Sequence, residues 1–102
     1  MRALSERKTH NKVGPVVRAG EIADAVIESA HQDNPDKTVH VEDRTAYVRI
    51  ELDGECIIRR ETMEEMLGRP FQMRELETVL GSFAGQIETS SDHVRFFYSK
   101  KL

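Results

Sequence analysis

The side chains able to do chemistry are few and scattered. His10, His31, His40 and His93 fall at distant points of the chain, whereas a metal site needs matched ligands at spacings that fold onto one centre. The one suggestive pair is Glu28 and His31, a Glu-x-x-His that a helix would place on neighbouring faces, as in di-iron bundle proteins. Such a centre takes two of these motifs and a glutamate from each of two further helices, so a single copy reads better as a solvated helix-end pair. Cys56 is the only cysteine and sits with Ile57 and Ile58 in a predicted strand, with no histidine or helix N-terminus nearby to lower its pKa; it reads as an inert, half-buried thiol. No Gly-x-Ser-x-Gly elbow and no Gly-rich phosphate loop occurs. Glu42 with Asp43 and Glu64 with Glu65 are adjacent carboxylates, but acid/base work requires burial to shift a pKa, and a solvated charged face explains them. Met63, Met66 and Met73 gather in one region, where methionine serves either as core filling or as an adaptable contact for a partner.

Size and charge narrow the choices further. With 102 residues, 38% hydrophobic and 32% charged, the chain holds one folded domain with a core but no large private cavity. Its 15 basic and 18 acidic residues leave a net charge of −3, so nucleic acid is not expected as a partner. The basic residues Arg2, Arg7, Lys8 and Lys12 belong to a polar stretch, residues 1–12, expected to be a flexible tail ahead of a domain at 13–102. No apolar run approaches a signal-peptide core or a bilayer span, so no membrane association is expected and a cytoplasmic location is.

The elements that must position these residues follow from periodicity. Val13, Val16 and Val17 predict a short strand, which Pro15 marks as an edge because proline lacks the N–H of a central strand. Ile22, Ala23, Val26, Ile27 and Ala30 form one helical stripe over 20–32, stopped at Asp33-Asn34-Pro35. Alternation at Val39 to Leu52, then Asp53-Gly54, then 55–60 predicts strands joined by a tight hairpin. Thr62 and Glu65 have capping-box spacing for a short helix that Gly68 ends, and Met73, Leu76, Val79 and Leu80 define a second. Two alternating runs, Phe83 to Ile87 and Val94 to Tyr98, complete the order β-α-β-β-β-α-α-β-β. That order predicts an α+β domain, a mostly antiparallel sheet with three helices packed on it.

Several of these segments carry a resemblance. Val13-Gly14-Pro15-Val16-Val17-Arg18-Ala19-Gly20, Asp33-Asn34-Pro35, Val41-Glu42-Asp43-Arg44, Ala46-Tyr47-Val48-Arg49-Ile50, Leu67-Gly68-Arg69-Pro70-Phe71 and Ser82-Phe83-Ala84-Gly85-Gln86-Ile87 resemble the effector proteins of bacterial multicomponent monooxygenases, those of the toluene-oxidising group above all. The resemblance runs from Val13 to Lys100. It implies a cofactor-free accessory subunit, monomeric when free, that docks on a di-iron hydroxylase. In that family docking repositions hydroxylase helices beside the metal centre and restricts access to it. It thereby couples electrons from NADH, delivered by a reductase and a Rieske ferredoxin, to O2 activation and hydroxylation of an aromatic or alkene hydrocarbon.

No catalytic, cofactor or metal residue is then expected in this chain. The partner contacts expected from the matched loops are Asn34, Arg44, Arg69, Phe71 and Met73, since arginine and aromatic residues are enriched at binding hot spots. Each of the five has a structural reading too, Phe71 as a staple of the second short helix. Gly14, Pro35, Gly68, Pro70 and Gly85 read as turn and bend residues. Two other classes stay open from the residues alone: a small stand-alone isomerase-like enzyme using a carboxylate or histidine, and a small-molecule-binding regulatory module.

Overall fold

A computed structural model describes residues 11–99. The expected tail therefore lies, up to residue 10, outside the described residues, while Lys12 already opens a strand. The elements are β1 (Lys12–Arg18), α1 (Glu21–Asp33), β2 (His40–Asp43), β3 (Tyr47–Asp53), β4 (Glu55–Arg59), α2 (Arg60–Leu67), α3 (Met73–Val79), β5 (Leu80–Ala84), β6 (Gln86–Thr89) and β7 (His93–Phe97). The expected α+β class and three helices are present, and all strand pairs are antiparallel. The strands form two sheets, ordered β2-β3-β1-β5 and β4-β7-β6.

Three local expectations are corrected by long-range pairing. Asp53-Gly54 does not close a hairpin, because β3 pairs with β1 and β2 whereas β4 pairs with β7. The Gly54 N–H donates to the Asn11 carbonyl and the Gly54 carbonyl accepts from Tyr98 N–H, so this residue carries the chain from one sheet to the other. Only Gly54, at φ 81, takes the positive φ that such a turn needs at both central residues, and tertiary pairing sets the direction of exit.

Nor is β1 an edge strand; it lies between β3 and β5. Pro15 is tolerated because the β1–β3 pairing lapses between Val13↔Leu52 and Val16↔Arg49, where the missing N–H would be needed. Gly14 makes this possible: its φ is 147, and a Cβ there would sit 2.0 Å from the Ile50 carbonyl oxygen.

The run from Leu80 to Thr89 is two strands rather than one, giving seven strands among the described residues. Ala84 pairs with Gly14 in the first sheet and Gln86 with Phe97 in the second, so the chain changes sheets at Gly85. Gly85 has φ 92 and lies so close to Val13 that a Cβ would meet its Cγ1 at 2.6 Å.

The core fills the space between the sheets and under the helices. Val13, Val17, Ile50 and Leu52 face Cys56, Ile58, Val94 and Phe96, joined by Ala23, Val26 and Ala30 of α1 and by Met63, Phe71 and Leu76. All are buried, as the two-residue and helical periods require. Cys56 and Ile58 thus share the interior with Ile50 and Leu52, not the opposite face that a hairpin would have given them.

Candidate functional site

The end of α1 is where the sequence-marked residues begin. Asn34 is 7% exposed, and its side chain is fully engaged inside the protein: Nδ2 donates to the carbonyls of Ala30 at 2.8 Å and Ile57 at 2.9 Å, and Oδ1 accepts the Ile57 N–H at 3.0 Å. Its neighbour Asp33 extends the same contact, accepting the Arg59 N–H at 2.9 Å and the Thr62 hydroxyl proton at 2.7 Å. Two consecutive side chains therefore bind the edge of β4 and the start of α2. Thr62 is occupied by Asp33 and not by its own helix, so the expected Thr62–Glu65 capping box does not form. A capping box does form one helix later, where the Gln72 N–H donates to Glu75 and the Gln72 side chain receives the backbone N–H of Glu75.

Phe71 and Met73 are also interior, at 1% and 7% exposure. The Phe71 N–H donates to Glu64 at 2.9 Å, which fixes the bend between α2 and α3, and the ring packs into the core as the stapling reading anticipated. Of the five expected contacts, three thus have internal roles, and their side chains present little surface to a partner.

Arg44 and Arg69 are the two that reach solvent, with side-chain exposures of 63% and 38%. Arg44 sits in the β2–β3 turn, pairs with Glu42 at 3.0 Å, and precedes Thr45, whose φ of 72 is held by an N–H donated to Asp43. Arg69 links helices: its guanidinium contacts Glu21 of α1 at 2.9 Å and Glu75 of α3 at 3.3 Å. The hydrogen bond to Glu21 raises the Arg69 pKa further above its ordinary value. The Gln72 N–H, followed by Arg69, holds the Glu75 carboxyl below its usual range. These two arginines lie at different places on the surface and make no contact with each other.

Cys56 is buried, and burial first, then the charges of Asp33 and Glu55, push its thiol up to about 12. That is the opposite of an activated nucleophile. Among the described residues no three His, Cys, Asp or Glu side chains gather as a metal-ligand set. The concave features are open surface grooves, such as one of about 440 Å³ beside Met73, Arg74, Ser90 and Ser91 and one of about 360 Å³ between Arg59, Glu64 and His93. No helix among the described residues is long and apolar enough to cross a membrane.

Sequence reasoning overlooked Asp33, read only as part of a helix stop, and Glu64, read only as solvated. Their partners lie 26 and 29 residues away for Asp33, and no spacing rule reaches that far. Of the methionines, Met63 accepts a hydrogen bond from buried Ser29 in the core while Met66 on the same helix is 36% exposed.

This arrangement, an intact core whose few buried polar side chains are satisfied internally, has relatives of known role. The chain is 46% identical over 88 residues, 86% of its length and 87% of the relative's, to an alkene monooxygenase system effector subunit of Xanthobacter autotrophicus. It is 36% identical over 67 residues, 66% of its length and 72% of the relative's, to the stimulatory component of a phenol 2-monooxygenase from Pseudomonas sp. strain CF600. Its fold superposes with a TM-score of 0.72 on a chain of a phenol hydroxylase–regulatory protein complex, at 28% identity, covering 87% of this chain and 98% of that one. Alkene and phenol, rather than toluene, are the substrates in these names. Residues 11–97 match a single family, and on that match the chain belongs to the MmoB/DmpM family.

Proposed function

We propose that this chain is the effector subunit of a multicomponent di-iron monooxygenase. It docks on the hydroxylase and couples electron delivery and O2 activation to hydroxylation of an aromatic or alkene hydrocarbon. The observation that carries this reading is the near-complete correspondence, 98% of the matched chain, with a component of a hydroxylase–regulatory protein complex. The relatives named effector and stimulatory components support it.

The chemistry then resides in the partner, and this chain contributes binding energy. A subunit of this kind acts by binding one conformation of the hydroxylase more tightly than another, which shifts their populations without any reacting group of its own. In this reading the chain holds no cofactor, is a monomer between encounters, and works alongside a Rieske ferredoxin and an NADH-dependent reductase. Arg44 and Arg69 are its proposed contacts from the expected set. The buried Asn34, Phe71 and Met73 shape the surface from beneath.

Reconstitution tests the assignment. Adding the purified chain to its hydroxylase, ferredoxin and reductase is expected to raise turnover and the product formed per NADH consumed. An assay in which rate, coupling and regiospecificity are all unchanged by the chain would refute it. Catalysis by the chain alone would point instead to the stand-alone enzyme class.

A further inference from the structure

Helices α1 and α2 pack side by side, and an open groove of about 310 Å³ runs along their outer seam. Ala25, Met66 and Leu67 line it with apolar atoms, and Glu21, Asp24 and Glu28 line it with carboxylates. The acidic residues follow one another at intervals of three and four, so they share one face of α1. Arg69 neutralises Glu21 at 2.9 Å, but among the described residues no cation pairs with Asp24 or Glu28.

Several charges elsewhere on the surface are paired. On the first sheet Arg49 pairs with Glu42 and Glu51, and on the second Arg95 pairs with Glu55 and Glu88 while stacking over Phe97. The α1–α2 seam brings acidic charge left without a cation among the described residues and an apolar side chain, Met66 at 36% exposure, into one groove. One kind of side chain satisfies both. The methylene stem of a lysine or arginine lies against a pliable thioether while its cationic head reaches a carboxylate.

We propose that this groove seats a basic segment of the hydroxylase, Asp24 and Glu28 receiving its cationic side chains and Met66 packing against their stems. The inference rests on the effector reading and adds to it a location and a partner chemistry. Charges at such a rim act mostly on encounter rate and on salt dependence, so the groove would guide the subunit into register before the apolar contacts close.

The test is titration of the purified hydroxylase with the full chain, by anisotropy or calorimetry, across a range of ionic strength. Both carboxylates are exposed, so Asp24→Asn with Glu28→Gln leaves the fold intact. The pair is expected to weaken binding roughly five- to tenfold at low salt and to flatten the salt dependence. Glu28→Lys is expected to weaken it further. Removing two exposed charges elsewhere, with Asp36→Asn and Glu77→Gln, is expected to change affinity less than twofold. Wild-type affinity and salt dependence in the groove variants would overturn the proposal, as would an equal loss in both pairs, which would mean net charge alone. Failure of the unaltered chain to bind its hydroxylase would overturn the effector reading itself.

Discussion

The side-chain amide of Asn34 pairs with the backbone of Ile57 as a neighbouring strand would, donating to its carbonyl at 2.9 Å and accepting its N–H at 3.0 Å. Because the amide has one donor group and one acceptor on a short stem, it imitates a peptide unit at an edge that β7 does not cover. Asn34→Ala leaves two part-buried backbone groups of β4 without their partners, at a cost of about 2 to 4 kcal/mol. Urea unfolding measures this directly. A loss under about 0.5 kcal/mol would mean that the imitation contributes nothing.

Gly14 makes a sharper claim. A Cβ at this position would lie 2.0 Å from the Ile50 carbonyl oxygen, a backbone atom that cannot swing aside. Gly14→Ala is expected to destabilise by more than about 3 kcal/mol, through the clash and through a φ that L-residues avoid. Thermal unfolding, or the yield of soluble protein, reports the loss.

How much of this was legible in the sequence depends on the range of the interaction. The α1 stripe ending at Asp33, the alternation of β3 and the stop at Gly68 were all readable, since each is decided within a few residues. Pro15, Asp53-Gly54 and Gly85 were legible as irregularities but not as to outcome. Their consequences turn on which strand lies alongside, and β1 pairs with residues 29 or more positions away. The candidate site divided in the same way. The residue types at Asn34 and Phe71 marked importance, but only the packing showed that they face inward.

Cys56 gives a pH signature. Its thiol is pushed up from an ordinary 9.0 to about 12 by burial, so the folded state keeps its proton where the unfolded state has lost it. Stability from this group is complete below pH 9 and declines as pH rises towards 12, by up to about 1.4 kcal/mol per pH unit in that window. A C56A variant is expected to lack that part of the alkaline slope in chemical unfolding. Thiol labelling at pH 8 is expected to be slow in the native protein and fast in denaturant.

Arg69 separates stability from docking. Its ion pairs with Glu21 and Glu75 are solvent-screened at 38% side-chain exposure, so Arg69→Ala is expected to leave the unfolding midpoint almost unchanged. If the guanidinium meets the hydroxylase, as proposed, affinity falls by about tenfold in the same variant. Arg44→Ala is expected to behave alike, and unchanged affinity for either would remove that residue from the interface.

A core substitution supplies the contrast. Phe71 is 1% exposed, and Phe71→Ala is expected to cost about 3 to 5 kcal/mol by opening a cavity. Met73→Leu keeps the volume and is expected to cost less than about 1.5 kcal/mol. Calorimetric melting distinguishes the two.

The closure of β4 by Asp33 and Asn34 also has a meaning for how the molecule behaves at high protein concentration. A bare strand edge is a template that any extended peptide, including another copy of the same chain, can lengthen. Short side chains projecting from a helix end satisfy that edge without continuing it, so no further strand can be added there. At β2, an outer strand of the other sheet, His40, Glu42 and Asp43 flank Val41 with polar groups that discourage the same event. Two of the four outer strands, β4 and β2, are thus protected against backbone annealing by side chains alone.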